Sequence, residues 1–221
     1  MLQTLFIITS FSVPLFAFIL AIFCLIKAPR SDIAILWCVK SIIVGICGLG
    51  IFLLLISKSE SFAYLSNYIF YTAAILIPSV YYHFNSVYLN LFRKNKTFIF
   101  VAYFFACIFL LLIYNTSLFF AGVTGKSIFK YWFDMGVAYP LFLLYFWIYV
   151  IASLYLLIKG CSKSNGVYKI KITYLLWAGL IGFGGGGTII FPQLFGIFPI
   201  GYFLTFLYPV ILIYGIFLKK Y

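Results

Sequence analysis

The chain reads as an all-α integral membrane protein, a bundle of seven transmembrane helices, and three observations predict it. Of its 221 residues 66% are hydrophobic and only 8% are charged, more apolar surface than one soluble core can hide. Apolar stretches of about 18 residues or more recur, and in hydrocarbon these span as helices because each backbone N–H must find its acceptor within the segment. Lysine and arginine collect in alternate loops, as cytoplasmic connections do. The spans fall at about residues 5–26, 33–56, 65–92, 97–114, 137–158, 172–191 and 200–218, and residues 1–221 form a single membrane domain.

The first span, Leu5 to Ile26, is a retained anchor and not a secretory signal. Positive charge precedes the apolar region of a signal, whereas MLQTLF has none and Lys27 and Arg30 follow. The second, Ile33 to Ile56, carries Gly45, Gly48 and Gly50 and one lysine, Lys40. Lys40 lies about seven residues from the cytoplasmic end, or roughly 10 Å, a depth from which its side chain is expected to snorkel. The third span is diluted by polar residues. Asn67, Tyr71, Pro78, Tyr82 and Asn85 recur at helical spacing, so this face should point inward, because polar groups facing lipid are costly. His83, the only histidine, sits on the same span about 15 Å from the cytoplasmic side. It is read either as a neutral, hydrogen-bonded residue inside the bundle or as a switch in its core.

The fourth span, Thr97 to Tyr114, leads into an outer loop from Asn115 to Gly136. Here SLFFAGV and SIFKYWF are short β-prone runs separated by Thr124, Gly125 and Lys126, which predicts a hairpin with a glycine turn. This segment is either an interfacial aromatic belt or a lid whose Phe129, Tyr131, Trp132 and Asp134 line or rim a pocket for a small amphipathic ligand. After the fifth span, the sixth carries GLIGFGGGG from Gly179, in which Gly182 and Gly186 have the GxxxG spacing that lets membrane helices approach closely. Gly184 to Gly187 predict a weakened helix, a hinge or a ligand-facing opening near mid-membrane. Gly160 and Gly166 fall in the preceding loop, where substitution should be mild. Pro192 and Pro199 bound a short outer turn, and Pro209 lies in the seventh span.

The charge map orients these spans. Eleven basic residues fall on one side (Lys27, Arg30, Arg93, Lys94, Lys96, Lys159, Lys163, Lys169, Lys171, Lys219 and Lys220) against Lys58, Lys126 and Lys130 on the other. The N-terminus is thus expected outside and the C-terminus in the cytoplasm. The net charge of +12 follows from this bias, and its spread over separate loops argues against nucleic acid as a partner. No cysteine lies in an outer loop, so no structural disulfide is expected.

The run IKITYLLWAGLIGFGGGGTIIFPQLFGIFPIGYFLTFLYPVILIYGIFLKKY, with YYHF in the third span and FFAGVTGKSIFKYWFDMGVAYP between the fourth and fifth, resembles the N-terminal seven-transmembrane sensor region of bacterial histidine kinases. The likeness covers nearly the whole chain and is strongest in its last 50 residues. Where that family often has a polar Asn, this chain has Ile189 and Ile190. The resemblance implies a multi-pass protein of the bacterial cytoplasmic membrane, and a cytoplasmic signalling module acting in cis or in trans.

Phosphotransfer by these residues is not expected, since a kinase needs a cytoplasmic phosphoacceptor histidine and an ATP-binding domain. The three carboxylates, Asp32, Glu60 and Asp134, all fall in loops, which leaves no intramembrane acid pair for metal binding or proton relay, and no cofactor or metal is expected. The reading is a sensor region, with Asn67, Tyr71, Tyr131, Trp132 and Asp134 as ligand contacts and His83, Pro78, Gly182, Gly186 and Pro209 passing the signal. A small permease-like transporter and a structural scaffold for a partner protein stay open as alternatives. The partners are the bilayer, a small ligand, the signalling module and a second copy of the chain as a candidate homodimer.

Overall fold

A computed structural model describes residues 2–27 and 31–212. Its order is α1 (Leu2–Lys27), α2 (Asp32–Leu55), α3 (Glu60–Tyr88), α4 (Phe92–Asn115), β1 (Phe120–Lys126), β2 (Phe129–Met135), α5 (Tyr139–Lys163), α6 (Gly166–Gly186), α7 (Phe191–Phe195) and α8 (Leu207–Leu212). Short 3₁₀ turns at Gly187–Ile190 and Ile200–Leu204 flank α7.

Among the described residues, six segments are long and apolar enough to cross a membrane, the sixth running from Gly166 to Phe195. The seventh predicted span begins with the apolar segment Ile200–Leu212, and its remainder, 213–218, lies outside the described residues. The sixth helix starts earlier than predicted, so Lys169 and Lys171 ride on its first turns. Likewise α5 continues to Lys163 and takes in Gly160, which is no loop residue: a Cβ there would sit 2.8 Å from Leu89 Cδ2.

Local chemistry fixes the helix starts. Ser31 and Ser59 each accept a backbone N–H of the first turn, from Ala34 and Phe62, both at 3.3 Å. Asp32 and Glu60 follow directly, placing negative charge at the positive end of each helix dipole. The exposed side chains along the spans are large and apolar, among them Leu25, Ile26, Phe100, Leu111, Leu141 and Ile151. Such a coat suits contact with lipid and not with water.

Helices pack in a closed ring. α2 lies between α1 and α3, α3 also meets α5, α5 meets α6, and α6 meets the C-terminal segment, which returns to α1. α4 stands outside this ring against α3 and α5. Glycines permit the closest approaches: a Cβ on Gly50 would fall 2.5 Å from the Phe70 backbone nitrogen, and one on Gly48 would fall 2.8 Å from Pro14 Cδ.

The central helix is α3. Asn67, Tyr71, Pro78, Tyr82 and Asn85 are all buried, as their spacing predicts. At Pro78 the helix lacks one backbone donor, and side chains from two neighbours close in there. Ser79 Oγ reaches Ala102 O at 3.1 Å and the Tyr145 hydroxyl at 2.5 Å, while the Tyr145 hydroxyl reaches Ile75 O at 3.1 Å. This network ties α3 to α4 and α5.

The predicted hairpin forms, with β1 and β2 antiparallel. Its turn is Ser127–Ile128 and not Thr124–Lys126: Lys126 pairs with Phe129, and Ser127 takes a left-handed φ of 55°. One face plugs the bundle mouth. Phe129 stacks on Trp132 with ring centroids 4.4 Å apart and also meets Phe6 of α1 and Phe198 before the last helix.

Candidate interior binding site

The ring lines a partly open cavity of about 150 Å³. Residues from Phe70 to Tyr81 of α3 border it, which at 1.5 Å per residue makes it roughly 16 Å long. α4 contributes no lining residue, whereas α1, α2, α5, α6 and the C-terminal segment all do. The wall is built almost wholly of apolar atoms, from Val44, Ala74, Phe142 and Phe183 among others. Cavities of this size with such walls stay dry and accept apolar molecules.

At one end the Tyr71 hydroxyl donates to that of Tyr139 at 3.3 Å, and the Tyr71 ring packs edge-on to Phe133 of the hairpin. Toward the other end stand Lys40 and Tyr81. Lys40 does not snorkel. It is 3% exposed, and its Nζ lies 4.0 Å from the Trp37 ring centroid and 4.1 Å from that of Phe84, with no hydrogen-bond acceptor. Its reach toward the membrane surface is blocked by packing: Trp37 and Phe84 sit in a buried cluster with Leu20 and Cys24 of α1.

The glycines of α6 form the wall facing the C-terminal segment. Helical geometry gives way to a 3₁₀ turn at Gly187, inside the predicted weak stretch. Gly182 and Gly186 both line the cavity, with Tyr208 and Thr205 opposite. A Cβ on Gly182 would meet Tyr208 Cδ2 at 2.9 Å, but one on Gly186 would meet Thr205 Cγ2 at an ordinary 3.6 Å. Between these two, Gly185 crosses Gly201 backbone to backbone, and an added Cβ would stand 2.6 Å from the Gly201 carbonyl oxygen. The GxxxG spacing does not show this pair, because its second member lies beyond the outer turn.

Of the residues predicted from sequence, the cavity gathers Tyr71, Gly182 and Gly186. Asn67 is fully buried above it, its Nδ2 donating to Ala63 O at 2.9 Å and its Oδ1 without a partner. Trp132 is fully buried in the hairpin plug and outside the cavity wall. Tyr131 donates to Lys58 O, and Asp134 pairs with Lys126 at 2.5 Å and accepts from Thr124, so these two hold the hairpin surface together. Lys126 also donates to Gln193, tying the hairpin to α7. Pro78 and Pro209 are buried in their helices and border no part of the cavity.

His83 is not in the bundle core. It is half-buried on the α4 side of α3, its Nδ1 3.1 Å from the Tyr103 hydroxyl and its ring stacked on Phe92. It borders a separate cleft with Asp32, Asn90 and Arg93. Sequence reasoning missed Lys40 as a cavity residue. The available signal was that no other lysine or arginine lies inside a predicted span.

Comparison with protein-family models, with curated proteins and with solved structures gives no match.

Proposed function

We propose that the chain is a membrane-embedded sensory region in which a small ligand occupies the interior cavity and biases the packing of α6 against the C-terminal helix. One observation carries this reading: the cavity wall includes Gly182 and Gly186 on one side of that contact and Thr205 and Tyr208 on the other. An occupant touches both halves of the joint at once. A ligand shifts a two-state element only by binding one arrangement better, and a glycine-lined crossing beside a 3₁₀ turn offers two arrangements at low steric cost.

The orientation follows the basic loops, with the C-terminus in the cytoplasm, where a signalling module in cis or in trans reads the shift. The resemblance to the sensor region of bacterial histidine kinases supports the same reading and, with it, a bacterial cytoplasmic membrane. An alkaline phosphatase fusion at Tyr221 should be inactive, and an active one would reverse the orientation.

The function is tested by fusing the chain at Tyr221 to a reporter kinase and screening small amphiphiles and cell-envelope fragments. At least one should change output, and Ala74→Leu, which intrudes on the cavity, should abolish its effect. Spin labels at the exposed Leu180 of α6 and Val210 of α8 give a second readout. A compound that binds in the cavity yet leaves both output and label distance unchanged would refute the sensor reading.

A further inference from the structure

We infer that the cavity selects a small amphiphile with an anionic, acceptor-rich head, held by Lys40, and an apolar body of about six to eight heavy atoms. This rests on the sensory reading for its purpose but not for its evidence, which is the chemistry of the cavity wall.

Lys40 and Tyr81 border the same end of the cavity, both almost fully buried. Lys40 Nζ and the Tyr81 hydroxyl have no hydrogen-bond partner in geometry, although Tyr81 lies close to Asn85, one turn on. An ammonium offers three donors and no acceptor, and a phenol offers one donor. The unmet need at this end is therefore for acceptors and negative charge. Asn85 stands within reach of Tyr81, but among the described residues none supplies the negative charge. Its three carboxylates are Asp32, Glu60 and Asp134, and no carboxylate borders the cavity. Asp32, on the same helix as Lys40, lies eight residues away, roughly 12 Å, and faces the His83 and Arg93 cleft.

Trp37 and Phe84 hold the ammonium in place through their ring faces without satisfying its N–H groups. The rest of the wall is apolar, so the remainder of the ligand must be apolar too. A cationic head would be repelled, and a neutral alcohol would supply an acceptor without the charge.

The test uses the full chain in lipid nanodiscs and measures displacement of tritiated octanoate, with empty nanodiscs subtracted. Octanoate should bind roughly 10- to 100-fold more tightly than octan-1-ol, the range expected for a hydrogen bond to a charged partner, and octylammonium should not compete. Lys40→Met should remove that preference, weakening octanoate far more than octan-1-ol. Adding phosphatidylglycerol to the nanodiscs identifies the source of the head group: displacement of octanoate assigns it to a bilayer lipid, and no displacement to a free amphiphile, with Lys40 required in either case. Equal binding of octanoate, octan-1-ol and octylammonium by the wild-type protein would overturn the inference without any variant, as would octanoate binding unaffected by Lys40→Met. If a compound drives the reporter kinase independently of Lys40, the inference fails and the sensory reading stands. If octanoate binds through Lys40 but moves neither output nor label distance, the reverse holds.

Discussion

Gly184 and Gly185 are adjacent in sequence, yet the structure assigns opposite signs to the same substitution at the two positions. A Cβ on Gly184 meets nothing within 4 Å, so Gly184→Ala changes only the backbone terms. Alanine in a helix is favoured over glycine by about 1 kcal/mol. At Gly185 the added Cβ would lie 2.6 Å from the Gly201 carbonyl oxygen and 3.3 Å from Thr205 Cγ2. The first atom is backbone and cannot rotate away, so the C-terminal segment must move. Overpacking of this kind costs about 1–3 kcal/mol, which outweighs the helix gain. The two variants should then differ by about 1–3 kcal/mol, with Gly184→Ala the more stable. For a chain of this length that is a Tm difference of roughly 2–12 °C. Thermal unfolding in one detergent, followed by a thiol-reactive dye or by fluorescence-detected size exclusion, measures it. Gly185→Ala melting at or above Gly184→Ala would show that α6 and the C-terminal segment do not cross at Gly201.

Tyr145→Phe keeps the ring but strips the hydroxyl that reaches both Ser79 and Ile75 O, and should cost about 1–3 kcal/mol, seen as a lower melting temperature with no change in oligomeric state. In the hairpin, Trp132→Ala removes a fully buried ring and should destabilise the protein by about 3–5 kcal/mol, whereas Asp134→Asn weakens a partly exposed ion pair and should cost at most about 1 kcal/mol. Equal melting temperatures for those two variants would mean that the hairpin does not plug the bundle.

The helices were legible because their signals are local. Long apolar runs and the spacing of Asn67, Tyr71 and Asn85 each say what one segment must do, whereas Ser31 and Ser59 set helix starts, at Asp32 and Glu60, that the apolar runs place later. The hairpin was legible in its strands and not in its turn, because Gly125 drew attention while Ser127 took the left-handed position. The cavity was not legible, since its walls come from segments as distant as Val13 and Tyr208. Lys40 shows the limit most clearly. Its depth along α2 allows snorkelling, but the decisive contacts with Trp37 and Phe84 include one from a different helix. His83 fails the other way: its place on a largely inward-facing helix suggested the core, yet its side chain turns toward Tyr103 on α4.

Two sets of polar residues near the Asp32 end of the bundle stand apart, and their separation bears on what the bundle is built to do. Asp32, His83 and Arg93 share one cleft, where opposite charges and solvent can satisfy one another. Lys40 stands apart in the wall of an apolar cavity with none of them. Taking an ion out of water costs several kcal/mol even after relaxation, and the two ring faces return about 2 kcal/mol each while leaving the N–H groups unmet. A sequence under pressure only for stability has an easy remedy, since methionine at this position would fill similar space at no desolvation cost. Lys40→Met is therefore expected to melt no lower than wild type, even as it loses octanoate. Such a residue in the wall of an apolar cavity is what the proposed amphiphile would account for. Gly182 and Gly186 border the same space, so under the proposal one molecule would meet both Lys40 with its head and the α6 joint with its body.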